Sequence, residues 1–216
     1  MKPPVSVPLR ALALLPLLAM LAGCSILGGK PRDPVTIYSP PARAAADPAW
    51  PQVEWQLAIA KPTATRLLDS PRIAVRPIPG ELQVYRGASW AQPPTEMLEA
   101  SVLRVLEDSG RIAGVGRLAT GMRSDYRLAM DVRRFESDYQ GGALPVATIE
   151  ISATLLNNRD QRIVARHTFL REETAATTDV GTVTDAFGRA LASIAGEIAG
   201  WTLAQGQDDA RTHPPL

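Results

Sequence analysis

The sequence predicts one α/β domain, a mixed and largely antiparallel sheet packed by two main helices, behind a short leader. Three observations carry this. Ala147, Ile149, Ile151, Ala153 and Leu155 alternate with Thr148, Glu150, Ser152 and Thr154, the cleanest period-two run in the chain. Leu98, Val102, Val105 and Leu106 recur at helical spacing, and so do Phe187, Leu191, Ile194, Ile198 and Trp201. The chain has 216 residues, 45% of them hydrophobic, within the range of ordinary folded domains.

In chain order, Lys2 and Arg10 precede the apolar run Ala11 to Ala22, too short to span a bilayer and laid out like a secretory leader. It ends in Leu21-Ala22-Gly23-Cys24, which resembles the lipobox of bacterial lipoproteins. That resemblance implies a diacylglyceryl group on the Cys24 thiol, cleavage between Gly23 and Cys24, and an N-acyl chain such as palmitate on the new amine. Ser25, in place of Asp, implies sorting to the outer membrane, facing the periplasm. The alternative is a permanent anchor, since Ala11 to Gly29 is uncharged; Pro16 and four Gly or Ser residues weigh against it. Residues 1–23 are thus assigned to a signal peptide and 24–34 to a lipidated tether. Residues 35–205 are assigned to the domain and 206–216 to a disordered tail.

Within the domain, strands are expected at Val35–Tyr38, Val53–Ala60, Ile73–Val75 and Leu82–Tyr85. A helix is expected from Pro94 to Ser109, with proline in its first turn and Gly110 to end it. A strand from Tyr126 slips register at Arg134-Phe135, a bulge signal. The alternating run around Ile151 follows. A turn at Asn157–Asp160 then leads to a strand over about 162–170. Together these read as an antiparallel meander with one wet face. The closing helix is placed at Thr182–Leu203. Gly188, Ala192, Gly196 and Gly200 repeat every four residues on it. Glycine in a helix costs about 1 kcal/mol relative to alanine, so the strip implies close approach by another element. That element is either the protein's own sheet or a second subunit; leucine at Gly196 is expected to disturb packing more than leucine at Ala199.

Little in the sequence points to catalysis. Lys plus Arg number 23 against 22 Asp plus Glu, a net charge of +1 that disfavours nucleic acid as a partner. Cys24 is the sole cysteine, and the histidines are His167 and His213, so neither a disulfide framework nor a Cys/His metal site is expected. Gly114-Val115-Gly116 lacks the third glycine and the preceding strand of a phosphate loop. His167 shares a strand face with Ile163, Ala165 and Phe169 and reads as a core residue. No cofactor is expected beyond the acyl chains on Cys24.

Tyr85-Arg86-Gly87-Ala88-Ser89-Trp90-Ala91-Gln92-Pro93-Pro94-Thr95-Glu96-Met97-Leu98 resembles the ABC-type transport auxiliary lipoproteins, also called PqiC-like lipoproteins. Their pattern is Ile-x-Val, then Tyr, then Trp-Ala-x-Pro before an amphipathic helix. Here these are Ile73-Ala74-Val75, Tyr85 and Trp90-Ala91-Gln92-Pro93. The resemblance covers roughly residues 35 to 203. It implies a fold like the anticodon-binding-like domain at the N-terminus of TolB-type proteins. It also implies MCE-domain and ABC transporter partners in envelope lipid transport, and possible homo-oligomers. The Pro77-Ile78-Pro79-Gly80 loop departs from the family.

The expected role is a non-catalytic accessory subunit that docks at the outer membrane. The alternative is an outer-membrane assembly or stability lipoprotein of the TolB-like or LPS-assembly type. A hydrolase remains only if scattered carboxylates converge. The candidate partner-binding residues are Tyr85 and Trp90, flanking a Gly/Ser turn, with Gly188, Ala192 and Gly196. The other reading of Trp90 is a plug at the base of the following helix.

Overall fold

In the computed structural model, residues 34–41 and 43–213 are described. The leader, Gly23, Cys24 and the tether as far as residue 33 lie outside them. One long strand organises the sheet. β7 (Tyr126–Asp138) pairs antiparallel along its length with β8 (Val146–Asn157), which pairs antiparallel with β9 (Ile163–Thr174). The other edge of β7 is divided among three shorter parallel partners. β2 (Val53–Ile59) pairs with it at Tyr126, Arg127 and Leu128; β3 (Thr63–Ala64) at Asp131 and Val132; and β4 (Arg72–Arg76) at Glu136, Ser137 and Asp138. The sheet forks there. β6 (Ile112–Arg117) extends β2 in parallel, while β5 (Gln83–Trp90) joins β4 antiparallel and β1 (Thr36–Tyr38) joins β5 in parallel.

α1 (Pro94–Ser109) matches the expected bounds because its ends are written locally. Pro94 stands at its start, and Gly110 stops it at φ 60°, its N–H donating to Glu107 O at 3.3 Å. Leu98, Val102, Val105 and Leu106 are buried on one stripe. The register of β7 shifts between Val132 and Arg134, one residue ahead of the expected slip. The shift lets Phe135 take over the core face. On the other face Arg127, Asp131 and Arg133 stay wet or half-wet, with Arg133 3.5 Å from Glu150, as the meander pattern required.

Three expectations need correcting. β6 was not foreseen: its Ile-Ala-Gly-Val-Gly-Arg sequence has too little apolar alternation to signal a strand, yet β2 supplies its partner. Gly114 and Gly116 therefore lie inside a strand. The closing helix, α2 (Val180–Thr212), runs well past Leu203, and the expected tail from 206 is helical through Thr212. Asp209 is buried there and held by side chains from β7, β8 and the hairpin after it. His167, expected in the core, is exposed beside Phe169 and Trp201, because α2 covers β9 only in part. The core lies between the sheet and both helices, with Trp90, Phe135 and Phe187 among its largest fully buried side chains. Among the described residues no helix is long and apolar enough to cross a membrane.

Candidate functional site

The segment from Tyr85 to Trp90 is a strand with a wide bulge, where a Gly/Ser turn was expected. Between the pairs Ala74↔Val84 and Arg72↔Ser89, β4 advances two residues while β5 advances five. Gly87, at φ 65°, absorbs the excess. β1 then pairs over the bulge, Thr36 with Ala88 and Tyr38 with Trp90.

This places Trp90 in the core, 2% exposed, which corrects its assignment as a partner-binding residue. It meets Phe135 and Phe187 edge-on at 6.0 and 5.2 Å, while those two rings stack at 4.9 Å. Aromatic contacts of this kind add about 0.5–1.5 kcal/mol each beyond area burial. The plug reading is the correct one, and the Trp90 Nε1 is buried without a hydrogen-bond partner among the described residues. Tyr85 is half-buried, its hydroxyl 3.0 Å from the Ser137 hydroxyl, and burial pushes its pKa above the ordinary phenol value. Its polar end is engaged by β7 while part of its ring stays open to solvent.

The small-residue strip on α2 is covered by the chain itself. A Cβ on Gly188 would stand 3.2 Å from Pro41 O, and one on Gly196 would stand 3.4 Å from the Ala44 Cβ. One on Gly200 would stand 2.5 Å from the Trp50 Nε1. Ala192 lines a shallow hollow beside Ala44, Ala45 and Trp50. The described residues between β1 and β2 thus lie as a strap on α2. Among the described residues the strap, and not the sheet, meets the strip. Gly188 and Gly196 face the protein's own N-terminal strap in place of the sheet, and Ala192 lines the hollow beside it.

Sequence reasoning missed the cleft at the C-terminal end of α2. It measures about 520 Å³ and is lined by residues that include Gln52, Trp55, Tyr126, Asn157, Arg159 and His213. At its side, Asp209 accepts hydrogen bonds from Arg162 Nη2 (2.7 Å), the Tyr126 hydroxyl (3.1 Å) and Asn157 Nδ2 (3.2 Å), and His213 Nδ1 lies 3.2 Å away. Burial pushes the Asp209 pKa up, but the donated bonds from Arg162, Asn157 and Tyr126 outweigh it and hold it below the usual carboxylate value. Burial, then the Asp209 bond, raises Tyr126 well above the ordinary phenol value. Asp209 is therefore a charged clamp holding the helix end to the sheet, and Tyr126 is a donor. The local signal for this was an acid at helical spacing from Thr202 and Gly206. Among the described residues no group of three or more His, Cys, Asp or Glu side chains is placed to hold a metal ion.

The fold is that of small α/β domains seen in solved structures. A crystal structure of an uncharacterised protein aligns at a TM-score of 0.61 with 14% identity, covering 77% of this chain and 97% of its own. The crystal structure of protein XCC0632 from Xanthomonas campestris is 57% identical, with a TM-score of 0.78, covering 82% of this chain and 99% of that one. The family model of the ABC-type transport auxiliary lipoprotein component matches residues 36–199, so the chain belongs to that family. The uncharacterised protein bll6063 from Bradyrhizobium diazoefficiens is 26% identical over 176 residues, 82% of this chain. The chain spans about half the length of that curated relative, 47%.

Proposed function

We propose that this protein is a lipid-anchored, non-catalytic accessory subunit of an ABC-type envelope lipid-transport system. It is tethered through Cys24 to the outer membrane, faces the periplasm and docks with an MCE-domain protein. The observation that carries this reading is the family match over 36–199 directly behind the lipobox Leu21-Ala22-Gly23-Cys24. Two lipid signals on one residue suit stable anchoring, where a single chain binds marginally. The strap supports the same reading. It follows β1 and lies on α2 through Pro40, Pro41, Ala44 and Trp50, so the residues nearest the tether are built into the domain through β5 and the main helix.

The test is in cells. Cys24→Ser is expected to leave an uncleaved precursor without acyl chains, and photocrosslinking of the wild-type chain is expected to capture an MCE-domain protein. Normal processing and membrane release of Cys24→Ser would refute the anchor. Crosslinks to other envelope proteins alone would refute the partner.

A further inference from the structure

Among the described residues, three exposed large apolar side chains, Ile78, Leu82 and Leu144, gather at one end of the sheet, and Val35 and Ile37 line the edge next to it. Val35, Ile37, Ile78, Leu82 and Leu144 are 58, 69, 56, 41 and 42% exposed. Their placement follows from the register. β7 ends at Asp138 opposite Arg76, where β4 ends, and Val75 pairs with Gln83, where β5 begins. The loops 77–82 and 139–145 therefore rise from the same end, joined by the Tyr139 N–H donating to Arg76 O at 3.1 Å. β1 runs parallel to β5, so the chain enters β1 from this end, with Val35 and Ile37 along an edge of the sheet.

The loops are built to present these side chains. Loop 77–82 is Pro-Ile-Pro-Gly-Glu-Leu, turned at Gly80 (φ 84°). Loop 139–145 is Tyr-Gln-Gly-Gly-Ala-Leu-Pro, turned at Gln140 (φ 50°) and Gly141 (φ 78°). Prolines preset the backbone and the glycines take the left-handed turns, so little ordering remains to be done when a surface is met. Glu81 is the one charged residue in the two loops. Apolar loop tips grouped in this way mark an interaction surface rather than the ordinary scatter of exposed leucines.

We infer that this end of the domain is a bilayer-contacting face, in which Ile78, Leu82 and Leu144 enter the lipid interface while Val35 and Ile37 border it. The occupant follows from the chain outside the described residues. Ten residues, 25–34, separate Cys24 from Val35; the eleven steps between them span no more than about 40 Å even fully extended. Where acyl chains on Cys24 sit in a membrane, the end of the domain that the tether enters is held within reach of that membrane. The inference rests on the lipid-anchor reading of Cys24.

The experiment places an environment-sensitive fluorophore on single cysteines replacing Ile78, Leu144 and, as a control, Ile163. Ile163 is 51% exposed at the opposite end of the sheet, paired to Leu156, which itself pairs with Arg127 near the start of β7. The mature lipoprotein is reconstituted in vesicles of phosphatidylethanolamine and phosphatidylglycerol, with and without doxyl-labelled lipid. The mass of the Cys24 peptide reports lipidation separately, so a failed anchor is recognised independently. In lipidated protein, probes at 78 and 144 are expected to be at least about threefold brighter than in detergent-free buffer and to be quenched by doxyl lipid, while the probe at 163 is not. Equal, unquenched emission at all three positions overturns the inference. So does a change at 78 and 144 that depends on protein concentration without lipid, which assigns the face to a second copy. A change that needs added envelope proteins assigns it to a protein partner and overturns the inference too. Ile78→Ser with Leu144→Ser is expected to keep the thermal midpoint, since both side chains are exposed, and to lose contact of this end with lipid, read as loss of quenching from a probe at Leu82.

Discussion

Replacing Gly196, Gly200 and Gly206 singly by alanine should give three different outcomes from one chemical change. All three lie in α2, where alanine gains about 1 kcal/mol of helix propensity over glycine. At Gly196 the new methyl would stand 3.4 Å from the Ala44 Cβ, an ordinary contact, so the propensity gain survives. At Gly200 it would stand 2.5 Å from the Trp50 Nε1, and Trp50 is a partly buried residue of the strap that can shift outward. Overpacking costs about 1–3 kcal/mol, so the net change there is a loss of about 0–2 kcal/mol. At Gly206 the methyl would stand 2.5 Å from the Trp55 Cζ2 and 2.9 Å from its Cη2. Trp55 is buried and braced edge-on by Tyr126 at 4.9 Å, so the cost falls at the top of the range or beyond it. The expected order of stability is Gly196→Ala at or above wild type, then Gly200→Ala, then Gly206→Ala. Urea unfolding followed by far-UV circular dichroism measures it; 1 kcal/mol moves the thermal midpoint by about 2–4 °C in a chain of this size. A Gly196→Ala variant as unstable as Gly206→Ala would refute the assignment of the strip to the strap.

Other outcomes follow from the same contacts. Asp209→Asn should cost about 1–3 kcal/mol, because it weakens three donated hydrogen bonds and leaves Arg162 facing a neutral amide; unchanged urea midpoints would show the clamp to be idle. The Asp209 pKa is lower folded than unfolded, so its stabilisation is complete above the ordinary value of 3.8 and is lost as pH falls through the folded value. Wild type minus Asp209→Asn, followed by acid titration, should therefore shrink below about pH 4. Phe187→Ala should cost about 3–5 kcal/mol by emptying the stack between Trp90 and Phe135, with loss of near-ultraviolet ellipticity. Glu136→Gln should destabilise more than Glu150→Gln. Buried Glu136 accepts from both Arg76 (2.9 Å) and Arg134 (2.8 Å), whereas the Arg133–Glu150 pair is open to water and worth about 0–1 kcal/mol. Equal losses would contradict that difference in burial.

The two small-residue positions weighed from the sequence show where local pattern misleads. Leucine at Gly196 was expected to disturb packing more than leucine at Ala199, yet Ala199 is fully buried while Gly196 is half-covered by Ala44. The order should be reversed. The four-residue spacing correctly signalled close approach; it carried no information on which element approaches.

The sequence by itself determined the features that are encoded within a few residues. The proline and glycine that bound α1, the alternation of β8 and the register slip of β7 are all contiguous, and short-range sterics and hydrophobic period suffice to read them. The tertiary structure decided what depends on a distant partner. β6 becomes a strand because β2 lies beside it, Trp90 is core because Phe135 and Phe187 surround it, and α2 continues to Thr212 because Arg162, Asn157 and Tyr126 satisfy Asp209. The same holds for the strap on Gly188, Gly196 and Gly200 and for the apolar loops brought together at the end of β7. Burial is a property of neighbours, and neighbours forty or more positions away leave no period in the residues they cover.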